Sequence, residues 1–147
     1  MIDKPLLKII CICSAILGAI LGVVSLIPAI SWIAILLVMF GIAPFMILYL
    51  KQLKVINEIE IEKSMVMGAM AGASSFIGFS VTYFPIAFIL YLIFKIQAFL
   101  AIKVMFVNFG FLVPMIILTA LLCALVNAFS GFLTAYIYLY FRPKKRG

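Results

Sequence analysis

The sequence predicts an all-α transmembrane fold: a small polytopic helical bundle of four spans with both termini cytoplasmic. Three observations predict it. Of 147 residues, 69% are hydrophobic and only 10% are charged, far from the composition of a soluble domain. The charges are segregated, so that residues 9–50, 64–94 and 104–141 carry none. A bilayer crossing needs about 20 apolar residues, and these windows hold four crossings if the first is split. Finally, with four spans drawn, Lys4, Lys8, Lys51, Lys54, Lys63, Arg142, Lys144, Lys145 and Arg146 share one side. Lys95 and Lys103 fall on the other. Such a bias marks the cytoplasmic face.

Span 1 is expected at about 9–27. It follows two lysines, but no small-x-small cleavage site ends it, and no small residue precedes Cys11 or Cys13 as a lipoprotein signal requires. It therefore reads as a retained span. Pro28 and Trp32 divide it from span 2, at about 29–50, with Ser25 to Ser31 as an interfacial turn and Pro28 opening the next helix. Within span 2, Pro44 lacks an N–H and frees a carbonyl one turn earlier, which predicts a kink.

The loop at 51–63 is the polar internal segment and is expected to be cytoplasmic. It holds Glu58, Glu60 and Glu62. Residues two apart on a helix point in nearly opposite directions, which argues against a cation site. Asn57 followed by Glu60 fits a helix N-cap with a reciprocal partner. Lys54 and Glu58 would pair at i, i+4.

Span 3, at about 64–94, measures about 46 Å as a helix against a core of about 30 Å. Pro85 is expected to kink it, with Tyr83 and Tyr91 near the outer interface. The segment at 95–110 spreads Lys95, Gln97, Lys103 and Asn108 around a helix. It reads as interfacial, re-entrant or part of an extra span, with a turn at Asn108-Phe109-Gly110. Span 4, at about 112–141, starts near Pro114 and ends in Tyr136, Tyr138 and Tyr140 beside the basic tail, an aromatic belt. The octets GAILGVVS and GAMAGASS, from Gly18 and Gly68, match at half their positions, a faint echo of parallel repeats.

Small residues recur every three or four positions. Span 3 carries Ser64, Gly68, Ala71, Gly72, Ser75, Gly78 and Thr82. Span 1 carries Ser14, Gly18, Gly22 and Ser25, and span 4 carries Ala120, Ala124, Asn127, Ala128, Gly131, Thr134 and Ala135. Each set forms one helix face. Lipid gives no hydrophobic drive for helix association, so small faces let backbones approach and gain contact. Packing is thus expected through Gly18, Gly22, Gly68, Gly72, Ser75, Gly78, Ala124, Ala128 and Gly131. The competing reading is a polar pathway lined by Ser74, Ser75, Thr82, Asn127, Ser130 and Thr134. Asn127 is the sharpest of these, because a mid-span amide needs a partner.

What is missing narrows the chemistry. No ionisable residue lies in the central part of a span, whereas proton-coupled transporters and voltage sensors rely on such groups. A small multidrug exporter has this length, but that family needs a glutamate in its first span, and none is present. Histidine is absent and the three cysteines form no C-x-x-C pair, so no metal site and no cofactor are expected. No nucleophile set or phosphate loop occurs. The +7 charge is accounted for by topology, so nucleic acid is not an expected partner. The bilayer, anionic headgroups at the basic C-terminus, and a homo-oligomer or membrane-protein partner are.

One stretch, GASSFIGF from Gly72 to Phe79, resembles the third-span segment of small fluoride channels. The resemblance covers eight residues. It implies a helix break at Ser74 and Ser75, with Phe76 and Phe79 facing a pore. That family's arginine-bearing first-span motif and its span-2 asparagine have no counterpart here.

The expected function is non-enzymatic: a packing, assembly or accessory role in a bacterial-type inner membrane. The alternative is a small channel or transporter for an anion or uncharged solute along the Ser/Thr/Asn faces. A third possibility is an adaptor that works through the loop at 51–63 and the basic tail.

Overall fold

A computed structural model describes residues 4–56, 58–95 and 99–141. Among them the chain is helical, with no strand. Span 1 is α1, Lys4–Val24. Span 2 is three pieces on one path: α2 (Pro28–Leu36), a π-helical turn (Leu37–Gly41) and α3 (Ile42–Gln52). Span 3 is α4, Ile61–Phe94. A short helix, α5 (Leu100–Val107), precedes span 4, which is α6, Phe109–Phe141. Four helical segments are long and apolar enough to cross a membrane. Their outward side chains are correspondingly apolar. Leu118, Leu121, Leu125 and Phe129 of α6 are all exposed, a surface suited to hydrocarbon and not to water.

The termini of these elements follow local chemistry in places and tertiary packing in others. Pro28 opens α2 at its first turn, where its missing N–H costs no helical bond. The start of α4 departs from the capping pattern read in the sequence. The helix begins at Ile61 with Glu60 in extended conformation at its N-cap, and Glu60 pairs instead with Lys63 at 2.7 Å. Asn57 itself lies outside the described residues. The reason for the shift is burial. Ile56 and Ile59 are buried beside Ile10, Ile47 and Met67, and residues 58–60 are not helical. Lys54 is likewise not on a helix with Glu58, because it adopts a left-handed conformation at φ 56°.

The central element is α4. At 34 residues it is about 51 Å long at 1.5 Å per residue, longer than a bilayer core. It runs as one helix through Pro85 and through Ser74 and Ser75, so the break implied by the fluoride-channel resemblance is absent. The two hydroxyls bond back to their own helix, Ser74 to the Met70 carbonyl at 2.6 Å and Ser75 to Gly72 at 3.0 Å. Helices α1 and α6 pack most extensively on α4, from different sides, and α3 lies across α4 and α6. The segment before span 4 forms α5, which is too short to cross. It packs on the upper part of α4 through Phe99, Ile102 and Phe106 against Ala87 and Phe88.

Candidate functional site

Close helix contact is what the smallest residues provide. A methyl group added at Gly18 would collide with the Ser75 carbonyl, and one at Gly78 with the Ala15 carbonyl. At Gly22 it would lie 2.8 Å from the Phe79 carbonyl. Thr82 adds a polar tie across this α1–α4 contact, with its hydroxyl 3.1 Å from the Ala19 carbonyl.

On the α4–α6 side the contacts step by four residues in opposite directions, as antiparallel helices require. Ser64 meets Gly131, Gly68 meets Asn127 and Ala128, and Gly72 meets Cys123 and Asn127. Ala124 is half-buried one turn before Ala128. A Cβ at Gly72 would stand 2.5 Å from the Cys123 carbonyl and 2.9 Å from Asn127 Nδ2. Gly72 therefore does more than admit a neighbouring backbone. It makes the space in which the Asn127 carboxamide sits.

That carboxamide is fully buried and reaches into the distorted turn of span 2. The two N–H groups on Nδ2 are shared among three carbonyls, Val38 at 3.0 Å, Met39 at 2.8 Å and Cys123 of its own helix at 3.0 Å. Oδ1 accepts from the Ala43 N–H at 3.1 Å. Three carbonyls on one side and one N–H on the other leave a single consistent orientation for the amide. In an unbroken α-helix, Ala43 would donate to Met39. Asn127 stands between these two groups and serves both. One turn along α6, Ser130 donates to the Phe40 carbonyl at 2.8 Å. Phe40 is the residue whose α-helical donor would be residue 44, and Pro44 has none. The two α6 side chains thus satisfy the backbone groups that the π-turn and Pro44 release. Such groups would otherwise be very costly in hydrocarbon.

The residues read as a polar path are accordingly dispersed. Ser74 and Ser75 bond within α4, Thr82 joins α4 to α1, and Thr134 bonds back to Ser130 at 2.8 Å. Only Asn127 and Ser130 converge on one feature. Two fully buried hydroxyls, Ser14 and Ser64, have no hydrogen-bond partner among the described residues. The sequence signal for the π-turn was Pro44, but nothing near it in the chain points to Asn127 as its partner.

Apolar cavities flank this site. One of about 210 Å³ lies between α2, α4, α5 and α6, lined by Ile35, Phe79, Tyr83, Met105, Met115 and Thr119 among others. An adjoining space of about 80 Å³ continues it to Val38, Met39 and Cys123. A third, of about 190 Å³, separates α1 from the π-turn at Leu17, Leu21, Gly41 and Phe45. Among the described residues, no cluster of His, Cys, Asp or Glu is placed to hold a metal ion. The fold and its surface define a class, a multi-pass helical membrane protein. No family model, curated protein or solved structure matches this chain.

Proposed function

We propose that this chain is a non-enzymatic membrane protein with a packing, assembly or accessory role, set in a bacterial-type inner membrane with both termini cytoplasmic. The observation that carries the reading is the Asn127 site. A span broken at a π-turn and a proline is the kind of element that transporters use to bind solutes. Here the released backbone groups bond to Asn127 and Ser130 of the same chain. The neighbouring cavities are lined mainly by Phe, Met, Ile and Leu side chains, with Tyr83 and Thr119 as the hydroxyl-bearing exceptions. That arrangement supports a rigid bundle that presents its outer faces to partners.

Cross-linking from the loop at 51–63 in native membranes, followed by purification in mild detergent, tests the proposal. A stoichiometric membrane-protein partner or a second copy is expected, and the chain recovered alone would count against it. The alternative, a pathway for an anion or uncharged solute, is favoured by one observation, the π-turn within span 2. Purified protein in liposomes is expected to pass no fluoride, chloride or small uncharged solute. A specific flux that is lost in Ser75→Ala, with helicity intact, would replace the accessory reading.

A further inference from the structure

We infer that the groove between α2, α4, α5 and α6 is a binding site for one acyl chain of an anionic membrane lipid. The groove exists because span 2 is pinned at one end and free at the other. Its α3 half buries Ile42, Met46, Ile47 and Leu50 against the bundle, whereas its α2 half buries only Ala34. Beyond the π-turn, α2 stands away from α4 and α6, and the space left between them is about 210 Å³ with about 80 Å³ more at its deep end.

Three occupants can be weighed physically. Water needs two to four polar partners, and the wall offers Phe76, Phe79, Phe84, Met115 and Ile116 with one phenol, that of Tyr83, the Thr119 hydroxyl being already bonded to Met115. An empty groove forfeits dispersion contacts along its whole lining. A partner helix is too wide. With its side chains it is about 10 Å across, far broader than one hydrocarbon chain, and the groove narrows to a space of about 80 Å³ at its deep end. A single hydrocarbon chain fits all three constraints, and Ile35 and Met115, on opposite walls of the groove, are both exposed.

Charge selects the headgroup. The groove begins at the α5 end of the bundle, beside Phe84, Met105 and Leu112, and runs inward to Met39 and Cys123. Lys95 and Lys103 are exposed at that end, Lys103 with its ammonium 5.5 Å from the Tyr91 ring centre. All four acids of the chain precede Ser64 in the sequence. Glu58, Glu60 and Glu62 lie at the start of α4, at the opposite end of that 34-residue helix from Lys95, so a lipid whose tail lies in the groove has its headgroup on the side of Lys95 and Lys103, which favours an anionic lipid.

Native mass spectrometry of the delipidated full chain, titrated with phosphatidylglycerol or phosphatidylcholine, tests this. One phosphatidylglycerol per chain is expected to survive activation that strips other lipid. Filling the groove from either wall, by Thr119→Trp or Ile35→Trp, should lower that occupancy at least tenfold. The lipid-facing control Leu121→Trp should leave it unchanged. Lys103→Gln should narrow the preference over phosphatidylcholine. Far-UV circular dichroism identifies a groove variant that has lost its fold, and the other then decides. Equal retention in the groove variants and the control overturns the site, as does no retention by the wild-type chain or a dimer mass in place of lipid. Equal affinity for the two lipids overturns the headgroup assignment.

Discussion

Replacing Asn127 with leucine keeps the number and branching of its side-chain heavy atoms but removes every polar atom. Four hydrogen-bond contacts disappear, and three of them hold span 2. The groups left behind are the Val38 and Met39 carbonyls and the Ala43 N–H, and Ala43 is fully buried. Side-chain hydrogen bonds in membrane proteins average about 0.6 kcal/mol, because alternative partners exist. An orphaned buried group costs about 1–3 kcal/mol. Three contacts at the lower figure give about 2 kcal/mol, and three at about 1 kcal/mol give about 3. Closing the π-turn into α-helix would let Ala43 bond to Met39 again. That closure removes one residue from the turn and rotates α3 by about 100° relative to α2, which would unseat Met46, Ile47 and Leu50 from the core. Relaxation is therefore no escape, and a loss of about 2–3 kcal/mol is expected. Equilibrium unfolding in mixed micelles, followed by circular dichroism and by fluorescence of the lone Trp32, measures it, with faster amide exchange at Ala43 as the local readout. A loss below about 0.5 kcal/mol with unchanged exchange at Ala43 would refute the reasoning.

Ser130→Ala should cost about 1 kcal/mol by orphaning the Phe40 carbonyl, but much less in a Pro44→Ala background, where residue 44 regains an N–H. A double-mutant cycle without that coupling would separate Ser130 from the proline. Gly18→Ala should destabilise by several kcal/mol, because the added methyl meets the Ser75 backbone rather than a side chain that can turn aside, an overpacking cost at the upper end of the usual range. Gly110→Ala, with open space around it, should be neutral or stabilise by up to about 1 kcal/mol; similar thermal stability of the two variants would contradict the packing described. Topology reporters fused after Gly147 and at Gln97 should report opposite sides of the membrane, and a shared side would mean a different number of crossings.

How far this fold can be read from sequence depends on the range of the interactions. The spans are local information, since charge-free windows and the turn at Pro28 depend only on neighbours in the chain. The three-and-four spacing that places Gly18 and Gly22 on one face is local too. Asn127 was legible as a buried amide in need of a partner. Its partner was not, because Ala43 and Met39 are 84 and 88 residues away and no local pattern links them. Pro44 predicted a distortion in span 2, but not that it would be a π-turn held open by another helix. At the start of α4, where Glu60 and not an earlier residue is the N-cap, the burial of Ile56 and Ile59 is a tertiary effect that local pattern does not carry. The left-handed Lys95 that ends α4 occupies a position where glycine or asparagine is the usual occupant, so sequence gave no cue to it.

The bond between Ala43 and Asn127 also imposes an order in time. A ribosome delivers the chain from its N-terminus at about 5–20 residues per second, so the 84 residues between the two take roughly 4–17 s to make. During that interval span 2 has been synthesised, yet the side chains that complete its backbone bonding have not. It must wait near the translocation machinery, borrow water or lipid groups, or adopt an unbroken helix that later yields. The helix made later, α6, is thus the one that allows the earlier span 2 to reach its final form.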